Sequence, residues 1–271
     1  MDLDDVKKRL QVFNKFHFEE EPHIYWWLDE EGNYQQADTS MTAIIESYAQ
    51  EFDREKTAKR CAHRDGMTVD EVLANWQFKN DFSKVKGTHI HAFNENLWQD
   101  KPYTYPKDKI IEQFGYDVLE PVWEHLTEIA QEFHDKYQDR IIPIGLELVV
   151  GDEDIRIGGS IDFLAYSKKF DRLIIIDYKS NTSIKFEGYK HQKMKGILSH
   201  LEDCNYVHYS LQLNGYQYLL EKHTGLKLHN THYLIWMNEH NKTFQIYQTL
   251  DLYEEAKQML ESHNHNSKKG E

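Results

Sequence analysis

The chain has 271 residues, 39% of them hydrophobic and 13% aromatic, enough for a substantial core and incompatible with wholesale disorder. A net charge of −14, from 46 acids against 32 Lys and Arg, argues against attraction of the whole surface to nucleic acid or anionic membrane, but leaves room for a local basic groove. The two cysteines, Cys61 and Cys204, lie far apart, which excludes a disulfide framework, a four-cysteine zinc site and a cysteine-ligated iron–sulfur cluster.

The N-terminal MDLDDVKKRL lacks the apolar stretch of a secretory signal, and no apolar run approaches the roughly 18 residues that span a bilayer. The expectation is a soluble, cytoplasmic chain. HIYWWLDEEGNYQQADTS reads as an aromatic hairpin turning at Glu30–Asn33, its rings more in keeping with packing than with base stacking. Thr39, Ser40 or Thr42 can cap the helix MTAIIESYAQEF. Thr68 with Glu71 forms a capping box that opens a helix over TVDEVLANWQFKND, and a separate helix is expected from Lys86 to Asp100. Residues 107–140 keep helical spacing, with a new helix starting near Pro121.

The period then changes. LELVV, IRIGGSIDFLAY and LIIIDYK read as three strands of an antiparallel meander, joined by a Gly-Asp turn and by the turn Ser167–Asp171. A helix over YVHYSLQLNGYQYLLEKHTG stops at Gly225, two more strands follow, and DLYEEAKQMLESH closes the fold ahead of a tail.

Asp177 and Lys179 emerge on one face where the buried strand LIIIDYK ends, a placement that suits a divalent cation and an oriented water. Taken alone, Asp-x-Lys is short and common, and is far more often a surface ion pair. Counting outward from the turn brings Asp162 into the same cross-strand region as Asp177, beside Gly158 and Gly159, which leave room for a backbone or ligand. Glu147 interrupts the strand before. Three acids inside three successive apolar strands are costly unless they share a metal. Gly87 with His91, one helical turn apart, offers close approach and an imidazole, whereas His89 points elsewhere. Gln212 and Tyr216 share a helix face. After Lys179, KSNTSIKFEGYKHQKMK carries five Lys against one Glu, a candidate phosphate track including Lys185, Lys190 and Lys193.

The ordered set Gly87-x-x-x-His91, Glu147, Gly159-x-x-Asp162, Asp177-x-Lys179 and Gln212-x-x-x-Tyr216 resembles the PD-(D/E)XK nuclease superfamily. The similarity is closest to its RecB-like and Cas4-like exonucleases, including phage-encoded members and the mitochondrial genome-maintenance exonuclease. Ser40-x-Thr42 after the aromatic hairpin is also similar to phage members. Ile161 stands where the superfamily name has proline, and Asp177 where it allows glutamate.

The resemblance implies an α/β restriction-endonuclease-like core, a central mixed β-sheet flanked by helices, over residues 86–262. A hairpin and helical elaboration would occupy residues 1–85, and a flexible tail residues 263–271. His91, Asp162 and Asp177 would ligate Mg²⁺ or Mn²⁺, and Glu147 would complete or support the catalytic site. Lys179 would orient the attacking water and stabilise developing charge, while Gln212 and Tyr216 would position DNA. Without the cysteines of many Cas4-like proteins, no iron–sulfur cluster is expected. With no helicase motif, any motor or replication protein would be a separate chain. The implied activity is a metal-dependent DNA exonuclease acting on single strands or ends in replication, repair or recombination, in the host cytoplasm if phage-encoded. The alternative is a catalytically silent DNA-binding or assembly module on the same fold.

Overall fold

The computed structural model describes residues 1–20, 22 and 24–267, with the backbone alone for 264–267. The Asp2 carboxylate accepts the Asp4 and Asp5 amides and so starts α1 (Leu3–Leu10). A 3₁₀ turn leads into an antiparallel ribbon of β1 (Phe16–Glu19), β2 (Ile24–Leu28) and β3 (Tyr34–Gln36). The expected hairpin is β2–β3: the Asp29 carboxylate accepts the Glu31 and Asn33 amides, and Gly32 takes φ +81°. β4 (Thr39–Ser40) runs straight into α2 (Met41–Ser47), where the Ser40 hydroxyl accepts the Ala43 amide.

α3 (Arg54–Asp65) ends on Gly66. The Thr68–Glu71 capping box then opens α4 (Val69–Trp98), a single helix of 30 residues where two were expected. Gly87 is the one glycine in that stretch and proline is absent. A lone glycine costs about 1 kcal/mol, too little to end a helix that buries Val72, Lys86, Ile90 and Asn94 on either side of it. α5 (Lys107–Phe114) and α6 (Glu120–Tyr137) follow, with Pro121 in the first turn of α6.

β5 (Ile141–Asp152), β6 (Ile157–Ser167) and β7 (Arg172–Lys179) form the expected antiparallel meander. After α7 (Asn205–Thr224), stopped by Gly225 at φ +68°, β8 (Tyr233–Trp236) pairs parallel with β7 and β9 (Gln245–Gln248) antiparallel with β8. α8 (Tyr253–Ser267) closes the described chain, so helix continues into the expected tail, whose residues 268–271 lie outside the described part. With β4 parallel to the start of β6, the sheet is six-stranded and mixed.

Helices cover both faces. α1, α2, α7 and α8 pack on one side against Ile161, Leu164, Leu173, Ile175 and Leu234, and α4 and α6 on the other against Phe163, Ile174, Ile176 and Ile235. Coverage on both sides is why β7 reads as an unbroken apolar run. β5 lines one edge of β6 from end to end, so β4 and β7 must share the other. β4 takes Ile157 and Gly158, and β7 takes Phe163–Ser167. Residues 159–162 lie in the gap between them.

Candidate active site

At that gap both strands of the β5–β6 pair turn over. Leu146↔Phe163 and Leu148↔Ile161 place Glu147 directly across from Asp162. Residues two apart on a strand ordinarily share a face, yet Ile161 packs into one layer and Phe163 into the other. The same inversion separates Leu148 from Leu146, and Glu147 itself sits in the left-handed region at φ +45°. For a residue with a Cβ this backbone costs on the order of 1–3 kcal/mol, strain of the kind that collects at functional sites.

The consequence is convergence: His91 Nδ1, one Glu147 oxygen and one Asp162 oxygen all lie within 4.8 Å of one another. Nδ1 is 3.4 Å from Asp162 Oδ2 and 3.8 Å from Glu147 Oε1. α4 supplies the imidazole, anchored by Ile90, which is fully buried beside it. His91 Nε2–H donates to the Tyr178 carbonyl at 2.9 Å, so Nδ1 is the nitrogen that faces the two acids. Ser160 steadies Glu147 by donating its hydroxyl to Oε2 at 3.3 Å.

Asp177 comes from the far side of the gap. Continuing the register beyond Phe163↔Ile176 sets it opposite Asp162, within the cross-strand region expected from the turn. Lys179 Nζ lies 2.6 Å from Asp177 Oδ2 in a nearly buried ion pair, and 4.5 Å from the centre of the Tyr209 ring. Asp177 Oδ2 is buried and has no donor in hydrogen-bonding alignment.

The electrostatics call for positive charge. Burial and Asp162 push the Asp177 carboxyl up to about 6, against the downward pull of Lys179. Burial and Glu147 likewise raise Asp162. Burial alone would lower His91, but Asp162 and Glu147 outweigh it and bring the imidazole to about 9. Hard carboxylate oxygens with one imidazole, crowded together and short of countercharge, fit a divalent cation. His91, Glu147 and Asp162 would hold it, while Asp177, opposite Asp162, gives Oδ2 to the Lys179 ammonium.

The remaining predicted residues divide. Gln212 Nε2 donates to the Tyr216 hydroxyl at 3.3 Å, and both belong to α7. The room expected beside the glycines is filled by tyrosines: a Cβ on Gly159 would stand 2.6 Å from Tyr216 Cε1, and one on Gly158 2.2 Å from Tyr25 Cβ. Those two glycines therefore seat protein rings. By contrast, a Cβ on Gly87 would meet only Ser180 Oγ, at 3.8 Å. Lys185, Lys190 and Lys193 are exposed on the β7–α7 segment and bond to no member of the cluster; Lys193 pairs with Glu202. His89 Nδ1 meets the Tyr103 hydroxyl at 2.7 Å, outside the site.

Two residues enter that the sequence reading did not place in the site: Tyr209, and Tyr25, whose ring it read as packing. Tyr209 lies three and seven residues before Gln212 and Tyr216, so one helical stripe carries all three and the spacing could have revealed it. Tyr25 is pushed up to about 12 by burial and by Glu147 and Asp162, which places it at the cluster; no local pattern announces a residue delivered from so distant a strand.

Residues 66–268 match the family model of the PD-(D/E)XK nuclease superfamily. Among solved structures the chain is similar to one from Eubacterium rectale described as a "Putative exonuclease", at 15% identity and a TM-score of 0.37. The alignment covers 65% of this chain and 64% of that one, so the chain spans somewhat less than two thirds of that neighbour's length. No curated protein matches significantly. Among the described residues, no helix is long and apolar enough to cross a membrane.

Proposed function

From the premise that the chain belongs to the PD-(D/E)XK nuclease superfamily, we propose that it is a Mg²⁺- or Mn²⁺-dependent DNA exonuclease, hydrolysing phosphodiester bonds of single strands or ends in replication, repair or recombination. The observation that carries this reading is the meeting of Glu147, Asp162, Asp177, His91 and Lys179 at the one stretch of β6 that lacks a strand partner on that edge. A bound divalent ion supplies charge neutralisation on the phosphate and a more acidic water. His91, Asp162 and Glu147 would hold that ion, and Asp177 would hold the Lys179 ammonium beside it.

Lys179 is 17% exposed and already oriented by Asp177 and the Tyr209 ring. Its ammonium has donors to spare, so it fixes the attacking water and meets the charge that develops on the phosphate. Gln212 and Tyr216 align the strand at the gap, and Lys185, Lys190 and Lys193 follow its backbone.

Oligonucleotides labelled at the 5′ or the 3′ end, single- and double-stranded, provide the test in Mg²⁺, Mn²⁺ or EDTA. The expected result is metal-dependent digestion that EDTA abolishes and that Asp177→Asn removes without loss of the circular-dichroism spectrum. Normal digestion by that variant, or digestion in EDTA, overturns the assignment. Metal-independent DNA binding without cleavage would instead identify a silent module.

A further inference from the structure

Beside Lys179 a row of rings leads away from the site. Trp236 on β8 is the register partner of Lys179, and its ring lies 6.1 Å from Tyr247 on β9. Tyr247 lies 5.5 Å from Phe186, on the segment between β7 and α7. The rings are tilted at 47° and 59° to one another, so they do not close the row by stacking among themselves. Phe186 remains 48% exposed, an unusual place for a phenylalanine whose only task is packing.

The segment is held in place. Trp236 Nε1 donates to the Asn181 carbonyl at 2.7 Å, and Asn205 receives the Lys185 amide at 2.7 Å while donating to the Ser183 carbonyl at 2.9 Å. Lys185 precedes Phe186 directly and Lys190 follows it four residues on, both exposed, and among the described residues neither has a carboxylate partner.

A second aromatic row exists on the N-terminal ribbon, where Trp26 stacks on His17 at 4.2 Å and meets Tyr34 at 5.2 Å. The strands and turn of that ribbon carry Glu19, Glu20, Asp29, Glu30 and Glu31, which repel phosphates. Charge therefore separates the two surfaces, and only the row beside Lys179 suits a polyanion.

We propose that Trp236, Tyr247 and Phe186 form a stacking track for successive bases of a single-stranded nucleic acid running to the site, with Lys185 and Lys190 against its phosphates. This rests on the nuclease reading and gives it a substrate path. Stacking tolerates any base because every base presents a π-face, so the track confers affinity for single strands without sequence preference.

The test is binding of a fluorescent oligothymidylate to the full chain in EDTA, alongside hydrolysis of bis(p-nitrophenyl) phosphate in Mn²⁺. Phe186→Ala and Phe186→Leu are expected to bind the oligonucleotide about tenfold more weakly, Phe186→Trp as well as wild type or better. Lys185→Gln should flatten the salt dependence by about 0.7 in log–log slope. Hydrolysis of the small ester, which cannot reach the track, should not change in any of the three Phe186 variants. Wild-type affinity in Phe186→Ala, or rescue by leucine, overturns the track and assigns the surface to packing or another partner. Failure of the wild-type protein to hydrolyse either ester or DNA defeats the nuclease reading separately, since the binding comparison does not depend on turnover.

Discussion

Asp162 Oδ2 accepts the backbone N–H of Tyr178 at 2.8 Å, so a side chain on β6 stands in for the strand partner that β7 has already left. The same oxygen faces His91 Nδ1. One carboxylate thus joins the two halves of the gap and contributes charge to the cluster, and the two roles can be separated.

Asp162→Asn keeps an oxygen acceptor for the Tyr178 amide but removes the charge. Stability to urea is expected to stay close to wild type, while DNA cleavage falls by about a hundredfold or more. Asp162→Ala also orphans a buried amide and should lose a further ~1–3 kcal/mol of stability. An asparagine variant that cleaves normally removes Asp162 from the site; one that unfolds as readily as the alanine variant shows the carboxylate to be chiefly structural.

Tyr209 presents its ring to Lys179 Nζ at 4.5 Å, and Asp177 holds the same ammonium from another side. A partly desolvated cation–π contact is worth about 0.5–2 kcal/mol. Tyr209→Phe keeps the ring face and should retain kcat within about twofold. Tyr209→Leu should lower kcat on the order of tenfold with little change in KM, because it loosens the ammonium rather than the DNA. Equal losses in both variants would shift the explanation to the phenol hydroxyl.

The parts of this site visible in the sequence are those governed by local rules. The turn and the apolar runs bring Asp162 into the cross-strand region of Asp177, but Ser167 joins the pairing opposite Arg172 and leaves a four-residue turn, and that register is what sets the two acids face to face. The Thr68–Glu71 box and the Gly225 stop are equally local. Glu147 could be recognised as an acid in an apolar strand, but its left-handed backbone has no sequence signature, so its promotion from supporting residue to a member of the closest His–Glu–Asp group depends on the folded pair of strands. Tyr25 arrives on β2 against Gly158, a contact between distant segments that neither segment encodes alone. The continuity of α4 was hidden for the opposite reason: Gly87 is a local break signal that tertiary packing overrides.

Away from the site, the Asp152 carboxylate is fully buried at the end of β5 and accepts from Lys222, from His223 Nε2 at 2.8 Å and from the Ile155 amide at 3.1 Å. Burial alone would raise its pKa; His223, Lys222 and the amide more than reverse this and hold it well below the usual carboxylate range. A folded value below the unfolded value of about 3.9 means the stabilisation is complete above that pH and is lost as pH falls further toward the folded value. Urea titrations at pH 7, 5 and 3 should show the stability difference between wild type and Asp152→Asn unchanged between the first two and smaller at the third. Asp152→Asn should be less stable at pH 7 by about 3 kcal/mol, the low end for a broken buried pair because Lys222 is a third exposed, and its loss between pH 5 and 3 should be smaller. Equal acid sensitivity in the two proteins would place the acid response elsewhere.

Gly159 and Gly87 appear in the same family pattern but face different surroundings, and alanine distinguishes them. At Gly159 a methyl group would press to 2.6 Å on Tyr216 Cε1 and 2.8 Å on its hydroxyl, and Tyr216 is only 3% exposed. Gly159→Ala should therefore cost about 1–3 kcal/mol by overpacking and displace Tyr216, with cleavage falling as well. Adding Tyr216→Ala relieves the clash, so the double variant should be less destabilised than the sum of the two by 0.5 kcal/mol or more, on the order expected for contacting residues. At Gly87 the methyl group meets nothing closer than 3.8 Å within a helix interior, so Gly87→Ala should raise stability by roughly 0.5–1 kcal/mol. A variant that is more stable and yet cleaves DNA more slowly reports substrate backbone passing over Gly87, one turn before His91. A variant improved in stability and unchanged in activity shows that the space is never used.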